Sequence, residues 1–426
     1  MSLANSSQIG QPNLRWYLIA ILPGCWSIFG SRWGSYLPRE PFFLNDLLIL
    51  ILVLSSIFSR KIITRKRKFT IYLVYFSYLF IKLLFSNWQE PLTLLRDYIP
   101  YIYLVTAPLI ALRIKTANSR VSYRLERFME WCIVGHTLWT VISFYYPELI
   151  ERLPLTNVTQ EVHFFTIRAD FDAAIMSVFI AMVIFGRINV INRRTQVLLV
   201  IFGSGFILLQ GNRASFISFS LLIFIALKFK FSVVVNYYAK GVLRILILFF
   251  AFLGILGISQ LTIGEKFIGV TASLSNHQSE LAGAGTASAR IAAWTQVAQY
   301  INSSQARVWF GVGFGSDYMQ DSGALRALVN AEQGARTLPR QPHNYWLNTY
   351  ARLGIIGTGI LLILLSQVLM IAAKILRRPN DFGNEQLMAS LIFVSLIPVA
   401  TFGVVLESPF GALALAMSNG FLLSER

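Results

Sequence analysis

Apolar runs recur along this chain at about 14–30, 42–58, 69–85, 98–112, 128–146, 172–186, 196–209, 215–227, 242–258, 354–373, 387–406 and 409–423. Runs of this length mark helices that cross hydrocarbon, where every backbone N–H and C=O must be satisfied within its own segment. Composition excludes the other classes. Of the 426 residues 55% are hydrophobic and 13% charged, and the mean hydropathy is +0.59. Soluble domains carry about 25% charged residues. So little charge does not cover a water-soluble surface of this size, and the apolar content is far above that of a disordered chain. The long uninterrupted runs argue helices and not a barrel. The expected fold class is all-α: a polytopic membrane helical bundle of about 12 transmembrane helices.

Cys25 and Cys132 lie in different apolar runs, with no CxxC pair and no disulfide framework. The net charge of +17 raises the thought of a nucleic-acid partner, but the positions of the charges argue against one. Arg60, Lys61, Arg65, Lys66, Arg67 and Lys68 crowd the second connection, and Arg113, Lys115, Arg120, Arg124 and Arg127 the fourth. Arg187, Arg193 and Arg194 follow in the sixth, Lys228, Lys230, Lys240 and Arg244 in the eighth, and Lys374, Arg377 and Arg378 in the tenth. These five connections hold 21 of the 37 basic residues. By the positive-inside rule they are cytoplasmic, as are both termini, and the basic excess reports orientation and contact with anionic membrane lipids. No cleavable signal peptide and no fixed-period repeat is expected.

The odd connections then face outside. Two are long: about 147–171, and 259–342. A loop of the second length is usually functional. Within it SARIAAWTQVAQYI places Ile291, Trp294, Val297, Ala298 and Ile301 on one face at helical spacing over 288–301, with Ser288 as the cap. The Ser-, Ala- and Gly-rich 273–288 is the expected flexible part. Three units follow: membrane helices 1–9 over 1–258, the outer loop over 259–342, and membrane helices 10–12 over 343–426.

Basic residues on the outer side are the informative ones. Arg213 sits in the tight turn QGNRAS, near the start of the next helix. It reads either as an interface arginine with its charge at the headgroups or as part of an anion site. A cation is mildly unfavourable at an electropositive helix N-terminus unless an anion sits there. Arg290 repeats that logic in the first turn of the expected 288–301 helix. Two such arginines suit a diphosphate, because each planar fork can bond two oxygens. His343, in RQPHNYWLNTYARLGIIG, lies where the long loop re-enters the membrane, a place suited to a proton acceptor. No metal site is expected: the outer connections hold no DxD, HExxH or i,i+4 histidine pair. Asp170–Phe171–Asp172 reads as a helix start, and GVGFG at 311–315 as a turn.

These residues, in this order, resemble the bacterial O-antigen ligase and O-antigen polymerase superfamily. The likeness rests on an Arg-bearing outer turn, a long loop with SAR and a downstream Trp, then GVGFG, PHNYWL and a helix opening LGIIG, and it is best over about 205–360. The resemblance implies a membrane glycosyltransferase that takes an undecaprenyl-diphosphate-linked glycan as donor and a glycan or lipid core as acceptor, with no cofactor. It makes Arg213 and Arg290 the diphosphate holders and His343 the base for the acceptor hydroxyl. It adds Arg168 in TIRADF, Asn344 beside the histidine, and Glu407 at the outer end of the eleventh helix as substrate-binding residues. The motif of Arg168 lacks its usual glycine here. Ligase and polymerase are not separated by these residues. A competing reading, a transporter of a small anion, calls for ionisable groups near the bilayer midplane. Lys82 and Arg352 are the candidates, and both lie near span ends.

Overall fold

The structure, a computed structural model, describes residues 67–115, 119–155, 163, 165–210, 212–231, 284–331, 341–403 and 405–425, together with 38–39, 42–43 and several positions between 46 and 53. The apolar runs expected at 14–30 and 242–258, and the stretch 259–283, lie outside the described residues.

Helix is the dominant structure. In chain order the helices are α1 Arg67–Leu84, α2 Pro91–Val105, α3 Ala107–Lys115, α4 Ser119–Tyr145, α5 Glu148–Glu151, α6 Ala169–Phe185, α7 Arg193–Leu209 and α8 Arg213–Phe231. They continue with α9 Ala284–Asn302, α10 Gln305–Phe310, α11 Tyr318–Asp321, α12 Ala324–Ala331, α13 Tyr345–Arg377, α14 Asn384–Phe402 and α15 Pro409–Leu423. Local chemistry sets many of their ends. Asn192 caps α7 by accepting the Thr195 N–H at 2.9 Å, Pro91 and Pro409 begin α2 and α15, and Gly186 closes α6 at φ 72°.

Helix α6 is apolar all round and lies at the centre, packed on α4, α7, α8 and α14. Elsewhere large apolar side chains point outward: Leu73 and Phe80 on α1, Leu198 and Ile201 on α7, Leu362 and Met370 on α13. Water does not tolerate that exterior, and hydrocarbon does. Among the described residues two helices, α13 and α14, are long and apolar enough to cross a membrane, and α15 and residues 69–84 are shorter apolar helices. Past its kink at Gly354, the segment 355–377 of α13 measures about 35 Å. That is enough to cross hydrocarbon about 30 Å thick.

Among the described residues, the connections that carry Arg187, Pro379 and Asn384 meet the start of α4 at one end of the bundle. Arg187 there donates to the Pro379 carbonyl at 2.6 Å and to Asn384 Oδ1 at 3.3 Å. Glu130 accepts from Asn384 Nδ2 at 3.0 Å and from the Asn189 N–H at 2.9 Å. The opposite end carries the starts of α6, α8 and α13 and the outer helices α9–α12.

Several boundaries differ from expectation. Phe42 and Phe43, expected to open the second helix, instead pair antiparallel with Arg39 and Pro38. Prolines at 38 and 41 favour extended backbone over helix. The fourth run is two helices, α2 and α3, broken at Thr106, and it starts seven residues early on Pro91. The outer helix begins at 284, because AGTASA is rich in alanine, the best helix former. Ser288 is therefore inside it and not its cap, and Arg290 lies in its second turn. Its buried stripe is Ala289, Ala293, Val297 and Ile301, which pack on Met319, Leu328 and Ala351, while Ile291 faces out. Small alanines permit close approach to α12 where Ile291 does not.

Helix α13 also starts earlier than 354, at Tyr345, and kinks at Gly354 (φ 66°, ψ −171°). A Cβ there would run into the Trp309 carbonyl and the Gly311 N–H. The GVGFG turn seats in that kink: the Val312 N–H donates to the Ala351 carbonyl at 2.8 Å and the Gly313 N–H to the Arg352 carbonyl at 3.0 Å. Beneath it Arg352 Nη1 pairs with Asp97 Oδ2 at 2.9 Å, both fully buried, and Asp97 also accepts the Gly315 N–H at 3.2 Å. Gly354→Ala should therefore lower thermal stability by at least the 1–3 kcal/mol typical of a glycine-only backbone conformation. Gly359→Ala, with open space around its Cβ in a helix interior, should leave the melting temperature of the purified protein unchanged or raise it.

Candidate functional site

At the end of the bundle away from the basic connections, three segments converge. The first is the start of α6. Arg168 precedes that helix with extended backbone (φ −120°), and its N–H donates to Asp172 Oδ2. Asp172 lies 3.4 Å from His136 Nε2, and both side chains are fully buried. The guanidinium of Arg168 lies over the Phe410 ring and forks onto Asp170, Nε to Oδ1 at 2.8 Å and Nη2 to Oδ2 at 3.3 Å.

The second segment is the start of α8. Arg213 is its first residue, and Asn212 caps it by accepting the Ser215 N–H at 3.2 Å. Ser215 Oγ donates to the Ala169 carbonyl at 2.8 Å, so the N-terminus of α8 stands beside the Arg168 turn.

The third segment joins α9 to the residues before α13. Arg290 Nη1 donates to the Phe402 carbonyl at 3.4 Å, at the end of α14. The next residue, Gly403, stands so close to Asp170 that an added Cβ would lie 3.0 Å from Oδ2. One turn along α9 from Arg290, Trp294 donates its indole N–H to the Pro342 carbonyl, next to His343. Asn344 caps α13, its Oδ1 accepting the Leu347 N–H at 3.1 Å, and Trp346 donates to Thr401 Oγ1 at 3.1 Å.

His343 sits at the meeting point. Its backbone is left-handed (φ 56°), as is that of Phe165 (φ 60°) just before the Arg168 turn. Non-glycine residues rarely hold that conformation, and such strain gathers at functional sites. Burial pushes the imidazole down to about 4, with Arg290 and then Arg168 pushing the same way and Asp170 opposing them. The ring is thus neutral at pH 7.

Arg290, Arg168 and His343 therefore share one electrostatic environment, and the backbone of Arg213 is at its edge. Asn344 spends its side-chain oxygen on the helix cap. Glu407 is in the 3-10 turn Val405–Glu407 between α14 and α15 and is buried, not open at the surface. Burial raises its carboxyl to about 8, with Asp97 adding to the rise, while Arg352, a hydrogen bond from Asn348 and Arg168 lower it. Asp170, read from sequence as a helix start, is the partner of Arg168 as well. The pairs His136–Asp172 and Asp97–Arg352 were not foreseen as pairs. The signal for both pairs is an ionisable group in an otherwise apolar stretch, which a membrane chain tolerates when it is partnered. Arg352, a candidate for ion passage, is engaged by Asp97 and by the Gly313 carbonyl at 3.4 Å.

A helical membrane protein with cations and a neutral imidazole gathered at one end of the bundle is the class these observations define. Residues 198–362 match the family model described as O-Antigen ligase (Wzy_C). Over that segment the chain is similar to the O-antigen ligase and polymerase superfamily, whose members are membrane proteins of the bacterial inner membrane. The matched segment holds Arg213, Arg290 and His343, and excludes Arg168 and Glu407. No curated protein matches the chain.

Proposed function

We propose that the protein transfers a glycan from an undecaprenyl diphosphate carrier to a sugar hydroxyl on the outer face of the membrane, within a bundle of about twelve spanning helices. The observation that carries this reading is the neutral, strained His343 held among arginines. A proton acceptor must be unprotonated, and a departing diphosphate needs cations placed beforehand where its charge develops.

In one displacement the acceptor oxygen bonds to the anomeric carbon as the bond from that carbon to the diphosphate oxygen breaks. His343 takes the hydroxyl proton. Arg213 and Arg290 hold the diphosphate, and Arg168, already forked onto Asp170, adds to the positive field. One displacement inverts the anomeric centre. This chemistry requires no metal. Asn344 fixes the direction of α13 and so the place of His343, and Glu407 acts from beneath through Arg352 and Asn348.

The test is transfer by purified protein in lipid nanodiscs, given undecaprenyl-diphosphate-linked glycan and a sugar acceptor, with and without EDTA. Expected are an inverted linkage and an unchanged rate in EDTA. Retained stereochemistry, or loss in EDTA reversed by a divalent ion, refutes the mechanism. Deletion strains separate the two activities: unattached lipid-linked polymer marks a ligase, single repeat units a polymerase.

A further inference from the structure

The fork of Arg168 onto Asp170 has the shape of a guanidinium on a phosphate. Two N–H groups meet two oxygens, Nε to Oδ1 at 2.8 Å and Nη2 to Oδ2 at 3.3 Å. The Asp170 carboxylate is 12% exposed, so water screens the pair only in part. Its Oδ1 also accepts the Phe171 N–H at 2.9 Å, in the first turn of α6. Its Oδ2 lies against Gly403, the residue after the carbonyl that takes the Arg290 hydrogen bond. Arg290, Arg168 and Asp170 all act on the His343 imidazole, the arginines in one direction and Asp170 in the other. The carboxylate is therefore an anion built into the cationic site, two residues from one arginine and beside the anchor of the other.

An anion in that place has two opposed effects. As a partner it orients Arg168 and offsets the cost of burying it. As a competitor it repels a diphosphate and occupies the N–H groups that the diphosphate would use. The Phe410 ring, 5.5 Å from the guanidinium carbon, engages the face of the group and leaves its N–H edge to the anions. The competition has a use. Fixed cations hold the diphosphate of a donor and of the spent carrier alike, and such uniform binding lowers KM without speeding the chemistry and slows product release. A carboxylate that reclaims the arginine returns part of that binding energy as the product leaves.

We propose that Asp170 is a positioning residue that holds the Arg168 fork in the empty site and yields it to a bound diphosphate, so that Arg168 exchanges one anion for the other. This deepens the function proposed above and rests on its diphosphate site. A merely structural Asp170 has the opposite consequence: if the carboxylate only keeps Arg168 in place, removing its charge weakens diphosphate binding, whereas removing a competitor strengthens it.

Binding of inorganic diphosphate to full-length protein in nanodiscs tests this, with Asp170→Asn, Arg168→Gln and the double variant. Asn has nearly the shape of Asp and keeps an oxygen for the Phe171 N–H. Asp170→Ser, whose hydroxyl also accepts a local backbone N–H, repeats the measurement without the amide, and melting temperatures show which variants are folded. Asp170→Asn and Asp170→Ser should each tighten inorganic diphosphate by about tenfold or more, the scale of one charged hydrogen bond. In the Arg168→Gln background Asp170→Asn should tighten it by at most about threefold, because only a partly screened repulsion remains to be removed. Weaker or unchanged binding in the folded Asp170 variants overturns the proposal. Equal tightening in both backgrounds does so too, since it leaves Asp170 a plain repulsive charge that exchanges nothing. Transfer is read separately: tightening that depends on Arg168, with no glycan transfer by the parent protein, refutes the enzymatic reading and leaves the exchange of anions standing.

Discussion

His343→Ala is expected to slow glycan transfer by about 10²–10⁴-fold, the usual contribution of a positioned base, while the lipid-linked donor still binds. His343→Gln keeps a hydrogen-bonding side chain and removes the base, so it should be nearly as slow. A fully active Gln variant would return His343 to a packing role. The pH profile carries the sharper signature. In the free protein the imidazole sits near 4, driven down by burial and by Arg290 and Arg168. A base must be neutral, so kcat/KM should hold as pH falls from 7 and drop only on approach to about 4. A bound diphosphate offsets the arginines and favours the protonated ring, so the acid limb of kcat should lie at higher pH than that of kcat/KM. Arg290→Gln removes a cation and should move the kcat/KM limb upward. An acid limb unmoved by that change would separate Arg290 from His343.

The arginines give the second large effect. Arg213→Lys and Arg290→Lys keep the charge but lose the planar fork that bonds two phosphate oxygens. Each should cost about 10²-fold in transfer, comparable with losing one well-placed donor to a developing anion, and Arg→Ala at least as much. Protein abundance should not change for Arg290, whose side chain is only partly buried. Near-normal transfer by both lysine variants would rule out a diphosphate clamp.

Much of the candidate site could be read from residue type and order. Arg213, Arg290 and His343 stand out as polar groups on the expected outer side of a chain with few charges. Arg290 is not at a helix N-terminus, however, since α9 starts four residues before the expected position. What brings Arg290 to the site is the turn of α9 that also carries Trp294 to Pro342. Asp170 shows the opposite case. Its helix-start position was plain, but its fork with Arg168 depends on side-chain direction, which spacing does not convey.

The amino-acid sequence by itself determined that this chain is a helical membrane protein. Apolar run length and the scarcity of charge leave no other class. Those are one-dimensional properties, each set by residues close together in the chain. Tertiary structure alone decided the pairing of His136 with Asp172 and of Asp97 with Arg352, the stripe α9 buries, and the kink at Gly354 that receives the GVGFG turn. These features hang on the approach of segments separated along the chain, or on which face a helix turns inward. Composition and period leave both open, because a membrane helix that is apolar all round can rotate about its axis at little cost until packing against its neighbours stops it.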